Sequence, residues 1–442
     1  MAMTQTTQVR IDPDALREVW PVLDADERAE GFGLLRRAEA EEFFLELSPR
    51  AQADIVLRLS DPERRLWMRL LAPDDAADLL QQVPPEERQR LLALLDPTSR
   101  AEVSALLAYA EDDAGGLMSP RFARVRPDMT LDEAIGYLRR QARQNLETIS
   151  YIYVLDQDQR LLGVVSFREL FTAPPGTRVA DIMRRDVVSV PEDMDQEAVA
   201  KVLADEDLVA VPVVDQDGRI RGIVTADDIV DVVLEEATED IQKLGGMEAL
   251  DVPYLQTPFW SLIRKRAGWL AVLFVGGMFT TNALAFYEDA LARAIVLTVF
   301  IPLIIASGGN SGSQAATLVT RAMALGQVRL RDWWRIMRRE AASGLTLGAI
   351  LAAVGILRIE LGATVFQEFG PHHAPLALTI GISLISVVLW GTIIGSMLPF
   401  IATRFGFDPA SASAPLVATL VDVVGIVIYF TTAELILSGT LL

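Results

Sequence analysis

Five long apolar segments occupy the C-terminal part of this 442-residue chain, and they limit its fold more than any other feature. Each is close to the ~20 residues that an α-helix needs to cross a bilayer. Lipid offers no hydrogen-bonding partners to the backbone, so segments of this kind are expected to be helical. We therefore predict an all-α transmembrane domain over residues 264–442, with five helices at roughly 269–287, 291–307, 341–357, 376–402 and 416–437.

Charged residues divide the chain at the start of the first apolar segment. Of the 60 acidic residues, 51 precede Arg264, whereas 28 of the 40 Lys and Arg residues do so. An acidic surface of this size excludes nucleic acid as a partner, because a phosphate backbone needs basic groups. Basic residues flank alternate connections, at 264–266, 329–339 and 404. By the positive-inside rule we expect a multi-pass cell-membrane protein with a cytoplasmic N-terminal half and an outside C-terminus.

Prolines mark the starts of short helices between residues 45 and 110. Proline is tolerated in the first helical turn, where its missing N–H has no acceptor in the helix. The spacing of about a dozen residues is too short for ankyrin or tetratricopeptide repeats. Residues 1–115 are therefore predicted to form an N-terminal all-α superhelical domain, with helices opening at Ser48-Pro49, Asp61-Pro62, Pro73-Asp74, Pro84-Pro85 and Asp96-Pro97.

A strand-turn-strand-helix unit occurs twice between residues 116 and 234. The strands are predicted at 152–155 and 163–166 in the first unit, and at 211–214 and 222–225 in the second. Both the order of the elements and the turn residues recur. The repeat resembles a tandem CBS pair, in which two α/β units make one disc.

An acidic helix is predicted from Asp227 to Gly245, directly before the membrane domain. It begins within the last helix of the CBS pair, and residues 235–263 are predicted to form a connecting helix and linker. A charge run of this kind is often only a solvated connector. Its position before the membrane domain favours a functional role.

Asp422 lies inside the last apolar segment, with no basic residue near it in sequence. A carboxylate in a bilayer costs roughly 3 kcal/mol or more, so it should face a partner or a water-filled path. The alternative is a protonated Asp in a helix–helix hydrogen bond. Ala418 and Gly425, about one turn away on either side, would leave room for a hydrated ion or would serve close helix packing.

A stretch rich in glycine and hydroxyl residues, 307–317, ends the second apolar segment and leads into a helix that is predicted to end near Leu325. It suits a narrow lining or a break in a helix, with Asn310 and Gly425 as candidate pore-lining residues. A cytoplasmic helix cap is the structural alternative. It is no phosphate loop, because the Gly-Lys-Ser/Thr ending is missing.

The residue types favour a hard cation. The chain has no Cys, and its two histidines, His372 and His373, fall in a predicted external loop. A carboxylate with carbonyl and water neighbours suits Mg²⁺, Ca²⁺ or Mn²⁺ better than Zn²⁺ or Cu²⁺. Mg²⁺ retains most of its water and needs only one or two carboxylates. One Asp per chain implies that a second comes from a partner subunit of a two-fold dimer.

The order of domains and two motifs resemble the MgtE family of Mg²⁺ channels over nearly the whole chain. The motifs are Ser307-Gly308-Gly309-Asn310-Ser311-Gly312-Ser313-Gln314 and Leu420-Val421-Asp422-Val423-Val424-Gly425. The resemblance implies a homodimer that conducts Mg²⁺ along its two-fold axis, with Asp422 and Ala418 at the pore ion. It also implies that the acidic helix is the family's plug helix, which links the CBS pair to the pore.

Two positions depart from the family pattern. Ala414 stands where family members often have Asn, so a polar contact to the ion is missing. Tyr151 and Arg168 match a candidate adenine-nucleotide (ATP) site of the CBS pair. Leu208 occupies a position where an aromatic ring could stack on the base, which weighs against ATP.

The acidic half suggests a gate. Like charges ~4 Å apart repel by about 4 kcal/mol at an effective dielectric of 20, and bridging Mg²⁺ would reverse this repulsion. We hypothesise that cytoplasmic Mg²⁺ closes the pore by binding between the helical domain, the CBS pair and the plug helix. Any one of these acids could equally be ordinary surface charge. The candidate regulatory ligands are Asp75, Asp78, Glu197, Asp207, Asp228, Asp231, Glu239 and Asp240.

Other functions fit the sequence less well. A proton- or sodium-coupled secondary transporter of divalent cations is the alternative, although such proteins usually have inverted repeats and several intramembrane ionisable groups. A CBS-gated anion channel is disfavoured, because no Arg or Lys lies in the interior of a predicted span. An enzyme is not expected, since the sequence has no nucleophile–base pair or cofactor fingerprint.

Overall fold

The computed structural model describes residues 11–142, 146–174, 176–250, 252–366 and 369–438. The chain forms two compact units, Met1–Glu236 and Ala237–Leu442, and each is described by itself.

The first unit begins with eight short α-helices. Helices α4 to α8 start at the predicted prolines. Side chains cap α4 and α8: Ser48 accepts a hydrogen bond from the amide of Ala51, and Asp96 accepts hydrogen bonds from the amides of Thr98 and Ser99. Phe32, Phe44 and Trp67 pack at the centre, with ring centroids 5.0 to 6.0 Å apart. The predicted all-α domain is therefore confirmed. The helices are α1 Pro13–Val19, α2 Ala25–Gly33, α3 Arg37–Leu45, α4 Pro49–Arg58, α5 Asp61–Met68, α6 Pro73–Gln81, α7 Pro85–Leu94 and α8 Pro97–Leu106.

Two three-stranded sheets follow, and they repeat one topology. In each, the first and middle strands are parallel and the middle and last strands are antiparallel. The α/β pair is confirmed. Its elements are α9 Ala114–Leu117, β1 Arg124–Val125, α10 Leu131–Gln141, β2 Tyr151–Leu155, β3 Leu161–Ser166, α11 Phe167–Thr172, α12 Val179–Ile182, β4 Val190–Pro191, α13 Gln196–Asp205, β5 Ala210–Val214 and β6 Ile220–Thr225.

Each sheet is completed by a segment from outside its own CBS repeat. The backbone of Ser119, which precedes the first repeat, exchanges hydrogen bonds with Ile223 of the second repeat at 2.8 and 2.9 Å. The backbone of Arg184, which precedes the strands of the second repeat, exchanges hydrogen bonds with Val164 of the first repeat at 2.9 Å. Gly222 lies at the first crossing, where an added Cβ would be 2.7 Å from the Ser119 carbonyl oxygen. The two repeats are therefore interlocked through their backbones.

Helix α14, Ala226–Leu244, is one continuous helix of 19 residues. It matches the prediction of a helix from Asp227 to Gly245 to within one residue at each end. The boundary between the two compact units falls inside it. The acidic segment is therefore helical throughout.

Five helices in the described part of the second unit are long and apolar enough to span a membrane. Most extend beyond their predicted ends, because helical backbone continues into the flanking polar residues. The predicted start of the second span at residue 291 was wrong, since a separate short helix, α16 Glu288–Arg293, precedes it. The five are α15 Phe259–Phe286, α17 Val296–Ala324, α18 Trp333–Val365, α19 His373–Arg404 and α20 Ala414–Leu437.

Glycines bring α17, α18 and α19 into close contact. A Cβ added at Gly391 would lie 2.3 Å from the carbonyl oxygen of Gly308, and one at Gly395 would lie 2.1 Å from that of Gly312. A Cβ at Gly348 of α18 would lie 2.7 Å from the Cα of Ile385 in α19. Backbones this close leave no room for a side chain, which is the small-residue packing expected between helices in lipid.

We expect Gly395→Ala to destabilise the membrane unit by about 1–3 kcal/mol, because the added methyl group overlaps a neighbouring backbone. The matched control is Gly277→Ala in α15, where an added Cβ meets no atom within 4 Å. Thermal unfolding of the purified protein in detergent measures both variants. Equal melting temperatures for the two variants would contradict this packing.

Candidate functional site

Helix α20 carries Asp422 between two packed positions. The helix begins at the capping residue Ser413, whose hydroxyl accepts a hydrogen bond from the Leu416 amide at 3.4 Å. Two turns later the side chain of Asp422 is half-buried. Within the ranges that the structure describes, its carboxylate has no hydrogen bond or ion pair. The hydrogen bond between helices that the sequence left open as an alternative is therefore not formed in the described chain.

Glycines of α17 lie against the face of α20 that flanks Asp422. An added Cβ at Gly309 would lie 3.6 Å from the Cβ of Ala418. Gly425 is buried, and a Cβ there would lie 3.0 Å from Ile305. Ala418 and Gly425 thus both contact α17, so their small size serves close packing in this chain. Their contacts fix the position of the Asp422 backbone between them.

The glycine-rich stretch of α17 is helical from end to end. The predictions of a helix break and of a helix cap at 307–317 were wrong, because α17 runs without interruption from Val296 to Ala324. Asn310, Gln314 and Thr317 are exposed, at a spacing that places them along one side of the helix. A polar side on a helix of this kind is suited to water or to a partner rather than to lipid. The candidate pore-lining residue Asn310 lies on this polar side of α17.

An acidic cluster lies in the first unit, where α6 meets the CBS pair. Asp74, in the first turn of α6, is only 6% exposed. The Ser119 hydroxyl lies 3.4 Å from its carboxylate and 3.2 Å from that of Glu147. Asp228 accepts a 2.6 Å hydrogen bond from the Thr225 hydroxyl at the start of α14. Acids from three separate segments are therefore crowded together.

Burial, and then the crowding of like charges, raises the pKa values of these carboxyl groups. Burial, followed by the charges of Glu147, Asp75 and Asp228, holds the pKa of Asp74 well above its usual range. Burial is also the main cause for Asp78, whose pKa rises to about 7. The same cause raises the pKa of Asp228 to about 6. These carboxyl groups therefore keep their protons to a higher pH than exposed acids do.

The structure brings together three of the predicted regulatory residues, Asp75, Asp78 and Asp228. Glu197, Asp207 and Asp231 are exposed, and Glu239 and Asp240 lie half-buried near the end of α14. Among the described residues, no three His, Asp or Glu side chains are arranged to hold a metal ion.

Sequence reasoning missed Asp74 and Glu147. Asp74 and Asp75 are adjacent acids in one helical turn, and the sequence does not show which of them is buried. Glu147 lies in a loop before β2, where no periodic pattern marks it. The pairing of α6 with the CBS pair is a tertiary contact, so no local signal could have found either residue.

The candidate nucleotide residues are on neighbouring elements. Tyr151 begins β2 and pairs with Ser166, which caps α11, and Arg168 is exposed in the first turn of α11. Leu208 is half-buried after α13.

Three family models match the chain. They are the divalent cation transporter MgtE at residues 301–432, the MgtE intracellular N domain at 11–112, and the CBS domain at 114–176 and 179–235. Together they match most of the sequence, in the order that the structure shows.

Similar proteins cover almost the whole chain. A magnesium transporter MgtE of Thermus thermophilus is 43% identical over 97% of this chain and 94% of its own length. A magnesium transporter MgtE of Bacillus subtilis is 30% identical over 95% and 91%. A crystal structure of the cytosolic domain of the Mg²⁺ channel MgtE in complex with ATP is 48% identical, with a TM-score of 0.47, and covers 50% of this chain and 90% of that chain. The chain belongs to the MgtE family of divalent cation transporters, and it is a membrane transport protein rather than an enzyme.

Proposed function

We propose that this protein conducts Mg²⁺ into the cell along a pathway at Asp422. The observation that carries the proposal is a half-buried carboxylate without a partner in an apolar helix. A bare carboxylate at such a position is costly unless an ion or water meets it. The named relatives are magnesium transporters, which supports Mg²⁺ as the cargo.

The conducting form is a homodimer in this proposal. One carboxylate neutralises half the charge of Mg²⁺, so a second Asp422 on a two-fold axis would complete the site. The exposed polar side of α17 at Asn310 supports a water-filled axis beside it. In addition, none of the residues of α15 is buried, which leaves this helix free to contact lipid or the second copy.

Cytoplasmic Mg²⁺ closes the pathway by neutralising the acidic cluster. Ions shared among Asp74, Asp78, Asp228 and Glu147 would offset their repulsion and hold α6 against the CBS pair. The exposed and connector acids, Glu197, Asp207, Asp231, Glu239 and Asp240, are further ligands in this proposal. Shifting a gate from 1% to 99% closed needs about 5.5 kcal/mol, which several ions can share.

Orientation and nucleotide binding belong to the same proposal. The acidic half lies in the cytoplasm and the C-terminus outside, as the basic connections at 264–266 and 329–339 favour. Adenine nucleotide at Tyr151 and Arg168 stays a prediction. The half-buried Leu208 offers no aromatic face for the base.

Asp422→Asn should reduce Mg²⁺ flux into liposomes at least about 100-fold, because the amide cannot neutralise the ion. Glu434→Gln is the matched control, since Glu434 is an exposed acid on the same helix, and it should keep its flux. The assay runs with and without a proton gradient. Flux that needs the gradient would favour the coupled transporter, and undiminished flux in Asp422→Asn would reject the pathway.

The triple variant Asp74→Asn/Asp78→Asn/Asp228→Asn should lose most inhibition by Mg²⁺ on the cytoplasmic side. Amide groups bind Mg²⁺ far more weakly than carboxylates do, so the ion can no longer hold α6 against the CBS pair and close the pathway. Patch recordings with Mg²⁺ varied on that side measure the effect. The control Asp193→Asn/Asp205→Asn removes two exposed acids and should close as the parent does. Normal inhibition in the triple variant would contradict the gate.

The free energy of unfolding of the first unit should fall as pH rises. Folding raises the pKa values of Asp78 and Asp228 to about 7 and about 6. At a pH between the ordinary pKa of an Asp and these raised values, the folded protein therefore binds more protons than the unfolded chain does. This stabilising term is present below about pH 4 and is lost as pH rises to about 7. Without Mg²⁺, we expect the difference between the melting temperatures of parent and triple variant to grow from about pH 5 to about pH 8. Added Mg²⁺ should reduce that difference most at the higher pH; a difference independent of pH would contradict the cluster.

A further inference from the structure

The end of α14 carries one lysine that contacts two carboxylates in the second unit. Nζ of Lys243 lies 2.6 Å from Oδ2 of Asp408 and also contacts the carboxylate of Glu239, one turn earlier. The three side chains are 28% to 34% exposed. Lys243 is the only basic residue of α14, in which seven residues are acidic. The lysine is thus the one positive charge that this helix offers to Asp408.

The ammonium group is held by both carboxylates at once. Nζ of Lys243 donates a hydrogen bond to Asp408 and forms an ion pair with Glu239. Two carboxylate oxygens that share one nitrogen at hydrogen-bonding distance lie within about 5–6 Å of each other. Without the lysine, Glu239 and Asp408 would face each other as like charges.

The contact lies at the start of the helix that carries Asp422. The other oxygen of Asp408 accepts a 2.8 Å hydrogen bond from the Ala410 amide, at the turn that leads into α20. Gly246, with φ of +75°, passes so close that an added Cβ would lie 3.2 Å from Pro415 and 3.4 Å from the Ser413 hydroxyl. Ser413 is fully buried beneath this turn. The segment after Lys243 therefore covers the beginning of α20.

We propose that Lys243 is a positioning residue of the pore, a tethered cation that occupies the place between Glu239 and Asp408 which Mg²⁺ would otherwise bridge. The lysine keeps the segment that follows it, which includes Gly246 and is called the connector here, on the start of α20 when Mg²⁺ is scarce. It also sets how much Mg²⁺ is needed there, since a divalent ion must displace it. The inference rests on the proposed function only in taking Mg²⁺ as the competing ion.

Because the chain has no Cys, one introduced thiol can be labelled without background from other residues. In the full-length protein, Ser413→Cys introduces a single thiol beneath Gly246, and its rate of maleimide labelling reports release of the connector. We measure this rate in EDTA and divide it by the rate in saturating Mg²⁺. Adding Lys243→Gln should increase the ratio of the two rates about tenfold, because docking then depends on a bridging ion. Adding Asp408→Asn as well should return the ratio to the parent value or below.

Lys243→Arg retains the charge and is the matched control, so its ratio should stay within about twofold of the parent. If Lys243 acted only by packing, Lys243→Gln would raise both rates equally and leave the ratio unchanged, which would overturn the proposal. A ratio that stayed high after Asp408→Asn would overturn it as well. The labelling does not measure transport, so its failure is distinct from failure of the proposed conduction.

Discussion

The close approach of α17 to α19 and α20 is the contact on which the membrane unit depends. Where Gly391 and Gly395 cross Gly308 and Gly312, backbone meets backbone, and a single methyl group would not fit. This contact fixes α17 beside α20, and Ala418 and Gly425 then hold the segment that contains Asp422. Asp422, whose carboxylate has no hydrogen bond or ion pair among the described residues, is thus positioned by residues with almost no side chain of their own.

Positive charge is scarce throughout the regions that we connect with gating. In the first unit, burial and mutual repulsion raise the pKa values of Asp74, Asp78 and Asp228. At the end of α14, Glu239 and Asp408 have Lys243 between them. In the proposed function the first set of acids binds a mobile cation, whereas the second set holds a lysine of the chain itself. The proposed gate combines these two solutions to the same electrostatic problem.

Local and periodic features of the fold could be predicted from the sequence, whereas its tertiary contacts could not. Proline positions gave the starts of α4 to α8, and apolar length gave the five membrane helices. The glycine-rich stretch misled us, because glycine density signals a helix break as readily as close packing, and only the facing glycines of α19 decide between them. Asp422 stood out because a charge in an apolar segment is costly anywhere. Asp74 did not, since its burial depends on a partner distant in sequence.

A mixed dimer shows whether two copies of Asp422 form one ion site, as we propose. Dimers with one parent chain and one Asp422→Asn chain can be isolated with two affinity tags and assayed for Mg²⁺ flux in liposomes. We expect a single substituted chain to remove nearly all flux, because the one remaining carboxylate is insufficient to bind the ion. Retention of about half the parent flux would mean that each chain conducts independently, and it would contradict the shared site.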